Sequence, residues 1–279
     1  MFQLVAAIVA GMIRTVLRLR YSTTLRGFDE AARRRGWLIL ANHPAEMDPV
    51  LLSTITWQRF RMRSLVLDEF YRTSFGYPIL RLSRALPIPD LERERSRDAV
   101  ATLRRRLDEA VAALRQGDNI LLYPSGRLYR EPREVIGNAS GTHLLLKRLP
   151  DVPVLLVRIR GFWGSSFSCA AGSKPDMGRA LLRGVACLLR NGLLWCPRRP
   201  VLIECEAAPP DFPRHASRQE LNQWLESWFN RPGDEPLVQV PYSRWARGAG
   251  MQDSERQTGV QHNDPVVLHA DRHPQIGRH

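Results

Sequence analysis

The sequence predicts an α/β fold with a largely parallel central sheet flanked by helices, on three observations. Apolar runs of strand length at residues 37–41, 119–123 and 152–159 read as buried strands. Stretches of helical periodicity separate them, and that alternating order is the mark of a parallel sheet. Two of the runs end in polar, proline-bearing sequence, Asn42-His43-Pro44 and Pro124-Ser125-Gly126. Loops at the carboxyl ends of such strands are where ligands bind, so two distant segments are expected to meet on one edge of the sheet.

At the N-terminus, residues 2–13 are almost wholly apolar and Arg14, Arg18 and Arg20 follow. The run is shorter than the ~20 residues a membrane span needs. It also lacks the basic start and cleavage site of a secretory signal. Gln3, Ala7, Gly11, Arg14 and Arg18 share one helical face. An amphipathic helix in the membrane interface, with arginines at lipid phosphates, fits the pattern, and so does a first helix packed on the core. Residues 1–26 are assigned to this membrane-associating segment.

The folded domain is expected over residues 27–243. After the first strand, a helix opens at Ala45 and runs to about Trp57, and residues 62–67 have strand character. A bent helical segment is expected over 70–84. Pro87 confines residues 85–88 to an extended piece. Ser96 caps a helix in which Val100, Leu103, Leu107, Val111 and Leu114 recur at helical spacing. Later come a loop over 124–137, a helix through Leu144–Leu146, an apolar helix at 180–194 and a last strand at 201–207. Ser217 caps a final helix whose stripe of Leu221, Trp224, Leu225, Trp228 and Phe229 reads as core packing. Residues 244–279 lose all periodicity and read as a disordered polar tail with scattered histidines.

Forty-one basic residues against 28 acids give a net charge of +13, nearly all from arginine. Such a surface attracts anionic lipid, coenzyme A, an acidic carrier protein or nucleic acid. Nucleic acid is set aside, because no groove-reading helix or stacking motif accompanies the charge. The four cysteines form no Cys-x-x-Cys pair and have no histidine at metal spacing. Buried free thiols in a reducing compartment are expected, with no metal site.

His43 stands at a strand end, five positions before Asp48 in the next first turn. The carboxylate can hold one ring nitrogen and leave the other to accept a proton from a hydroxyl or amine. The spacing alone is a common accident in a chain with seven histidines. What surrounds it decides.

Asn42-His43-Pro44-Ala45-Glu46-Met47-Asp48 resembles the first motif, His-x4-Asp, of the glycerolipid acyltransferase family. The stretch from Leu80 to Ile88 sits loosely where the second motif belongs. Leu122-Tyr123-Pro124-Ser125-Gly126-Arg127 is similar to the third, usually Phe-Pro-Glu-Gly and then Arg. Val152-Pro153-Val154-Leu155-Leu156-Val157 resembles the fourth. Their order and separation agree over residues 27–207. The chain looks most like the acyltransferase portion of 2-acylglycerophosphoethanolamine acyltransferases. Residues 161–168 and 235–242 add to that likeness.

The resemblance implies an O-acyltransferase of phospholipid biosynthesis or remodelling, peripheral or monotopic on the cytoplasmic face of the cell membrane. It would move a fatty acyl group from acyl-CoA or acyl carrier protein, a co-substrate rather than a cofactor, to a lysophospholipid. His43 would be the general base and Asp48 would orient it, with no acyl-enzyme. Asn42, Ser125, Gly126 and Arg127 would bind substrate. Gly126 would let the backbone approach the acceptor's phosphate, and Arg127 would bond it. Arg130 and Arg133 are further candidates. An acyl-carrier ligase, fused in some relatives, is expected as a separate protein. Ser125 replaces the usual Glu, which raises the alternative of a catalytically silent lipid-binding or scaffold protein on the same fold.

Overall fold

The computed structural model describes residues 2–58, 60–68, 80–81, 83–89 and 96–243. The expected polar tail from 244 onward, and most of the bent segment expected at 70–84, lie outside the described residues.

The chain begins with helix α1 (Phe2–Arg20) and passes directly into strand β1 (Tyr21–Arg26). Residues 21–26, within the segment assigned to residues 1–26, thus form a strand of the sheet. β1 is an edge strand in which buried Tyr21 and half-buried Thr23 and Leu25 alternate with exposed residues, and β-branched Thr23 and Thr24 disfavour continuing the helix. Half polar, it gives no apolar run to read. A short helix α2 (Phe28–Ala31) follows, then β2 (Leu38–Ala41), α3 (Asp48–Ile55) and β3 (Met62–Leu67). β4 (Leu86–Ile88), α4 (Arg97–Arg115), β5 (Asn119–Leu122), α5 (Gly141–Arg148) and β6 (Val154–Arg160) come next. The chain then forms α6 (Met177–Arg190), β7 (Arg199–Ala207) and α7 (Arg218–Asn230).

Among the described residues the strands form one seven-stranded sheet in the order β1-β7-β6-β2-β5-β3-β4. From β6 to β4 all pairs are parallel, and β7 joins β6 antiparallel while pairing parallel with β1. The sheet is mixed at that one edge.

β2 and β5 are buried at every residue and β6 at all but its last, because helices cover both faces. Side chains alternate between two cores. Ile39, Ala41, Leu121, Leu155 and Val157 pack with Leu17 of α1, Leu51 and Leu52 of α3 and Ala180 of α6. Leu38, Leu40, Ile120, Leu122 and Leu156 pack with Leu107 of α4, Leu145 of α5, and Leu221, Leu225, Trp228 and Phe229 of α7. Each of the Leu, Ile, Val and Phe side chains contributes about 1.5–3 kcal/mol on burial. Capping agrees with the sequence: Ser96 accepts from Ala99 N at 3.1 Å, and Ser217 forms a capping box with Glu220.

The helix expected from Ala45 starts instead at Asp48, with Pro49 in its first turn. Glu46 N donates to Phe167 O at 3.0 Å, which draws residues 44–47 toward the loop after β6 rather than into helical geometry. Asp48 is thereby left at the helix start, close to where β2 ends.

Candidate active site

His43 leaves β2 at its carboxyl end with its side chain 14% exposed, beside Asp48, whose side chain is fully buried. His43 Nδ1 lies 3.1 Å from Asp48 Oδ2. A carboxylate only accepts, so Nδ1 carries the hydrogen and Nε2 is left as the basic nitrogen. Asp48 is itself held twice more. Ala45 N donates to Oδ2 at 3.1 Å and Tyr123 Oη donates to Oδ1 at 2.8 Å. The Tyr123 ring also stacks on the imidazole, with centroids 4.1 Å apart.

Burial works against a charged imidazole at His43, but the Asp48 carboxylate, with Glu46 and Glu134 behind it, prevails and raises its pKa above 6.5. Burial and the same Asp48 charge push the Tyr123 phenol well above 10, so it remains a donor.

Glu134 was not legible as a site residue. Its side chain is buried, and Oε2 accepts the backbone N–H of His43 at 2.9 Å. Oε1 is buried without a hydrogen-bond partner among the described residues. Burial pushes this carboxyl up to about 7, although the Ser125 hydroxyl and the His43 N–H offset part of the rise. Ser125, where relatives carry Glu, thus sits against a carboxyl supplied nine residues later. An acid in the loop after a predicted strand was the available signal, but its 91-residue distance from His43 hid the contact.

Tyr123, Pro124, Ser125 and Gly126 form a β-turn, closed by Gly126 N to Tyr123 O at 3.0 Å. Gly126 has φ +66° and a Cβ there would meet no protein atom within 4 Å, so backbone conformation, not crowding by the protein, selects glycine. Ser125 Oγ donates to Arg127 O at 2.9 Å. The loop continues beneath His43, whose carbonyl accepts from Tyr129 N at 3.0 Å. Beside it, Arg127, Arg130, Arg133, Tyr129 and Glu134 line a polar cavity of about 150 Å³. Arg133 is tied to Asp234 at 3.2 Å, while Arg130 is exposed.

Helix α7 holds this loop in place. Glu226 Oε1 accepts from Ile136 N and Gly137 N, at 2.6 and 2.8 Å. Asn230 accepts from Glu134 N and donates to Glu134 O, both at 2.9 Å.

Asn42, expected to bind substrate, is 1% exposed and turned into the protein. Its amide donates to Ile159 O and Tyr129 Oη and accepts from Ile159 N. It clamps β2 to β6 and sets the strand end from which His43 projects. Of the residue 80–88 stretch, Leu80 and Ser83 line an apolar groove with Pro49 and Val50 of α3, while its later described residues do not reach the dyad. Arg84 lies 3.7 Å from Asp118, just before β5 and so at the opposite end of the sheet. The residue 152–157 stretch supplies β6, the scaffold beside β2.

The 161–168 and 235–242 segments form one unit against the site edge. Glu235 Oε1 accepts from Gly161 N and Trp163 N, and Val238 N donates to Trp163 O. A Cβ on Gly164 would lie 2.7 Å from Val238 O, so only glycine lets the two segments meet.

A model of the Acyltransferase family matches residues 22–159, from β1 to near the end of β6, a span that includes His43, Asp48 and the loop after β5. Among solved structures, the chain is similar to the crystal structure of the 1-acyl-sn-glycerophosphate (LPA) acyltransferase PlsC from Thermotoga maritima. The TM-score is 0.54 at 18% identity, over 80% of this chain and 78% of that one, a likeness of fold. A comparison with curated protein sequences finds no match.

Proposed function

The chain belongs to the glycerolipid and lysophospholipid acyltransferase family, and we propose that it moves a fatty acyl group from a coenzyme A or acyl carrier protein thioester to a lysophospholipid. The observation that carries this reading is the meeting, at one sheet edge, of a His43–Asp48 pair and a loop bearing Arg127 and Arg130. His43 Nε2 takes the proton of the acceptor hydroxyl as its oxygen attacks the thioester carbonyl. Asp48 holds the imidazole by Nδ1 and stabilises the imidazolium that forms. The tetrahedral intermediate then expels the thiolate, which recovers the proton from Nε2. No acyl-enzyme is needed.

The acceptor phosphate is assigned to Arg127 and Arg130 at the polar cavity, with Ser125 and Gly126 in the turn that precedes them. A shallow apolar groove between α1 and α3, lined by Val9, Ile13, Pro49, Val50 and Trp57, offers an apolar surface for part of an acyl chain. The net charge of +13 suits an anionic membrane and an acidic carrier protein.

No helix among the described residues is long and apolar enough to cross a membrane. The outward face of α1 is nonetheless apolar: Ala6, Ala10 and Leu17 turn inward while Ile8, Met12 and Val16 are exposed. Large apolar residues left outside suit a helix lying in lipid, so peripheral attachment is proposed.

The test is thiol release from acyl-CoA and acyl carrier protein with a panel of lysolipids in detergent. His43→Ala is expected to lower kcat on the order of 10²–10⁴ with an unchanged melting transition. Undiminished turnover in that variant would overturn the assignment.

A further inference from the structure

Helix α6 is apolar on both sides. Inward it presents Ala180 and Cys187, with Leu181 packed on the core. Outward, Leu182, Val185 and Leu189 follow one another at helical spacing, and Leu182 and Leu189 are 71% and 67% exposed. The turn that follows adds Leu193, Leu194 and Trp195, the last two 69% and 59% exposed. Isolated exposed apolar side chains need no explanation, but six within fourteen residues of a helix and its turn do.

Beyond Asp176, the N-cap of α6 and the ion-pair partner of Arg179 at 3.4 Å, the charge along this patch is basic. No acidic residue lies between Asp176 and Glu204, and Arg179, Arg183, Arg190 and Arg198 are exposed along its length. An apolar stripe with a tryptophan, bordered by arginines, matches the layers of an anionic bilayer: acyl chains, interface and phosphate.

Topology puts the patch at the end of the molecule where His43 opens. β7 runs antiparallel to β6, so its start at Arg199 lies beside the carboxyl end of β6, where Asn42 ties in. β1 begins opposite it, with Tyr21 paired to Arg199, and Arg20 donates to Pro197 O. The C-terminal ends of α1 and α6 therefore come together at this edge. Both helices pack on the same face of the sheet, through Leu17 and Ala180, so their outward faces look away from it together. β7 is two strand spacings from β2, about 10 Å.

We propose that the outward face of α6, with the Leu193–Trp195 turn, is a second membrane-insertion surface, and that with α1 it seats the protein on an anionic phospholipid bilayer, site edge at the headgroups. This rests on the reading that the acceptor is a lipid. An acceptor held by its chain in the bilayer then reaches Arg127 and His43 without leaving it.

The experiment measures partitioning of the full chain onto vesicles of phosphatidylglycerol and phosphatidylcholine, without acyl donor. Leu194→Glu with Trp195→Glu changes only exposed side chains and is checked by its melting transition. Partitioning is expected to fall at least tenfold. Arg183→Gln with Arg190→Gln is expected to lower it roughly fivefold per charge on anionic vesicles and little on neutral ones. Brominated acyl chains should quench fluorescence in the wild type that Trp195→Phe removes, identifying that ring among the seven tryptophans.

Unchanged partitioning with no quenching assignable to Trp195 would overturn the proposal. So would light scattering that shows a dimer dissociated by the Glu substitutions while vesicle binding persists. Turnover of a short-chain, soluble lysolipid is measured in parallel. Its absence alongside lost vesicle binding in the variant would fault the assigned reaction and leave the docking surface standing.

Discussion

Asp48 accepts from His43, Ala45 and Tyr123, so its carboxylate is fixed before any substrate arrives. Replacing it with Asn keeps the size but removes the charge that raises the His43 pKa against burial. A general base, the role proposed for His43, works unprotonated, so the acid limb of kcat/KM against pH should shift to lower pH in Asp48→Asn, with kcat down on the order of 10²–10⁴. A limb that stays in place would mean another group sets it. Glu134 gives a second test. Its carboxyl is raised to about 7, so the folded state holds a proton there that the unfolded chain releases near 4.5. Stability from this group is full below about 4.5 and is lost as pH rises through 7, roughly 3 kcal/mol in all. Glu134→Gln should flatten that decline in denaturant unfolding measured from pH 5 to 8. An unaltered slope would show that Glu134 ionises freely.

At the scale of elements, what matters is how helices hold loops. α7 fixes the loop after β5 through Glu226 and Asn230, far in sequence from the residues they serve. Asn230→Ala removes both bonds to the Glu134 backbone without touching His43 or Asp48. Acceptor KM is expected to rise severalfold while the pH profile of kcat keeps its shape. A change confined to kcat would place Asn230 with the dyad instead. Most elements were legible because each announces itself locally: apolar runs for β2, β5 and β6, helical period and a serine cap for α4 and α7. β1 was not, since an edge strand buries one face only. The late start of α3 was not either, because a bond to Phe167 across the molecule moved it.

For the whole molecule, the proposed seating on a membrane has charge and the exposed apolar faces of α1 and α6 act together. Turnover of lysolipid carried in anionic vesicles is expected to fall as ionic strength rises through the physiological range, where the Debye length shortens to about 8 Å. Turnover of a soluble short-chain acceptor should change far less. Equal salt dependence for both would locate the electrostatics at the substrate rather than the membrane. The sequence by itself determined the α/β class, the His43–Asp48 pairing and the loop that carries Arg127, because these follow from local period, turn chemistry and short spacing. Only the tertiary structure decided that Asn42 faces inward, that Glu134 stands under His43 beside Ser125, and that α6 leaves its large residues outside. Those are contacts and exposures between segments tens of residues apart, set by strand register and helix packing, and no local pattern encodes them.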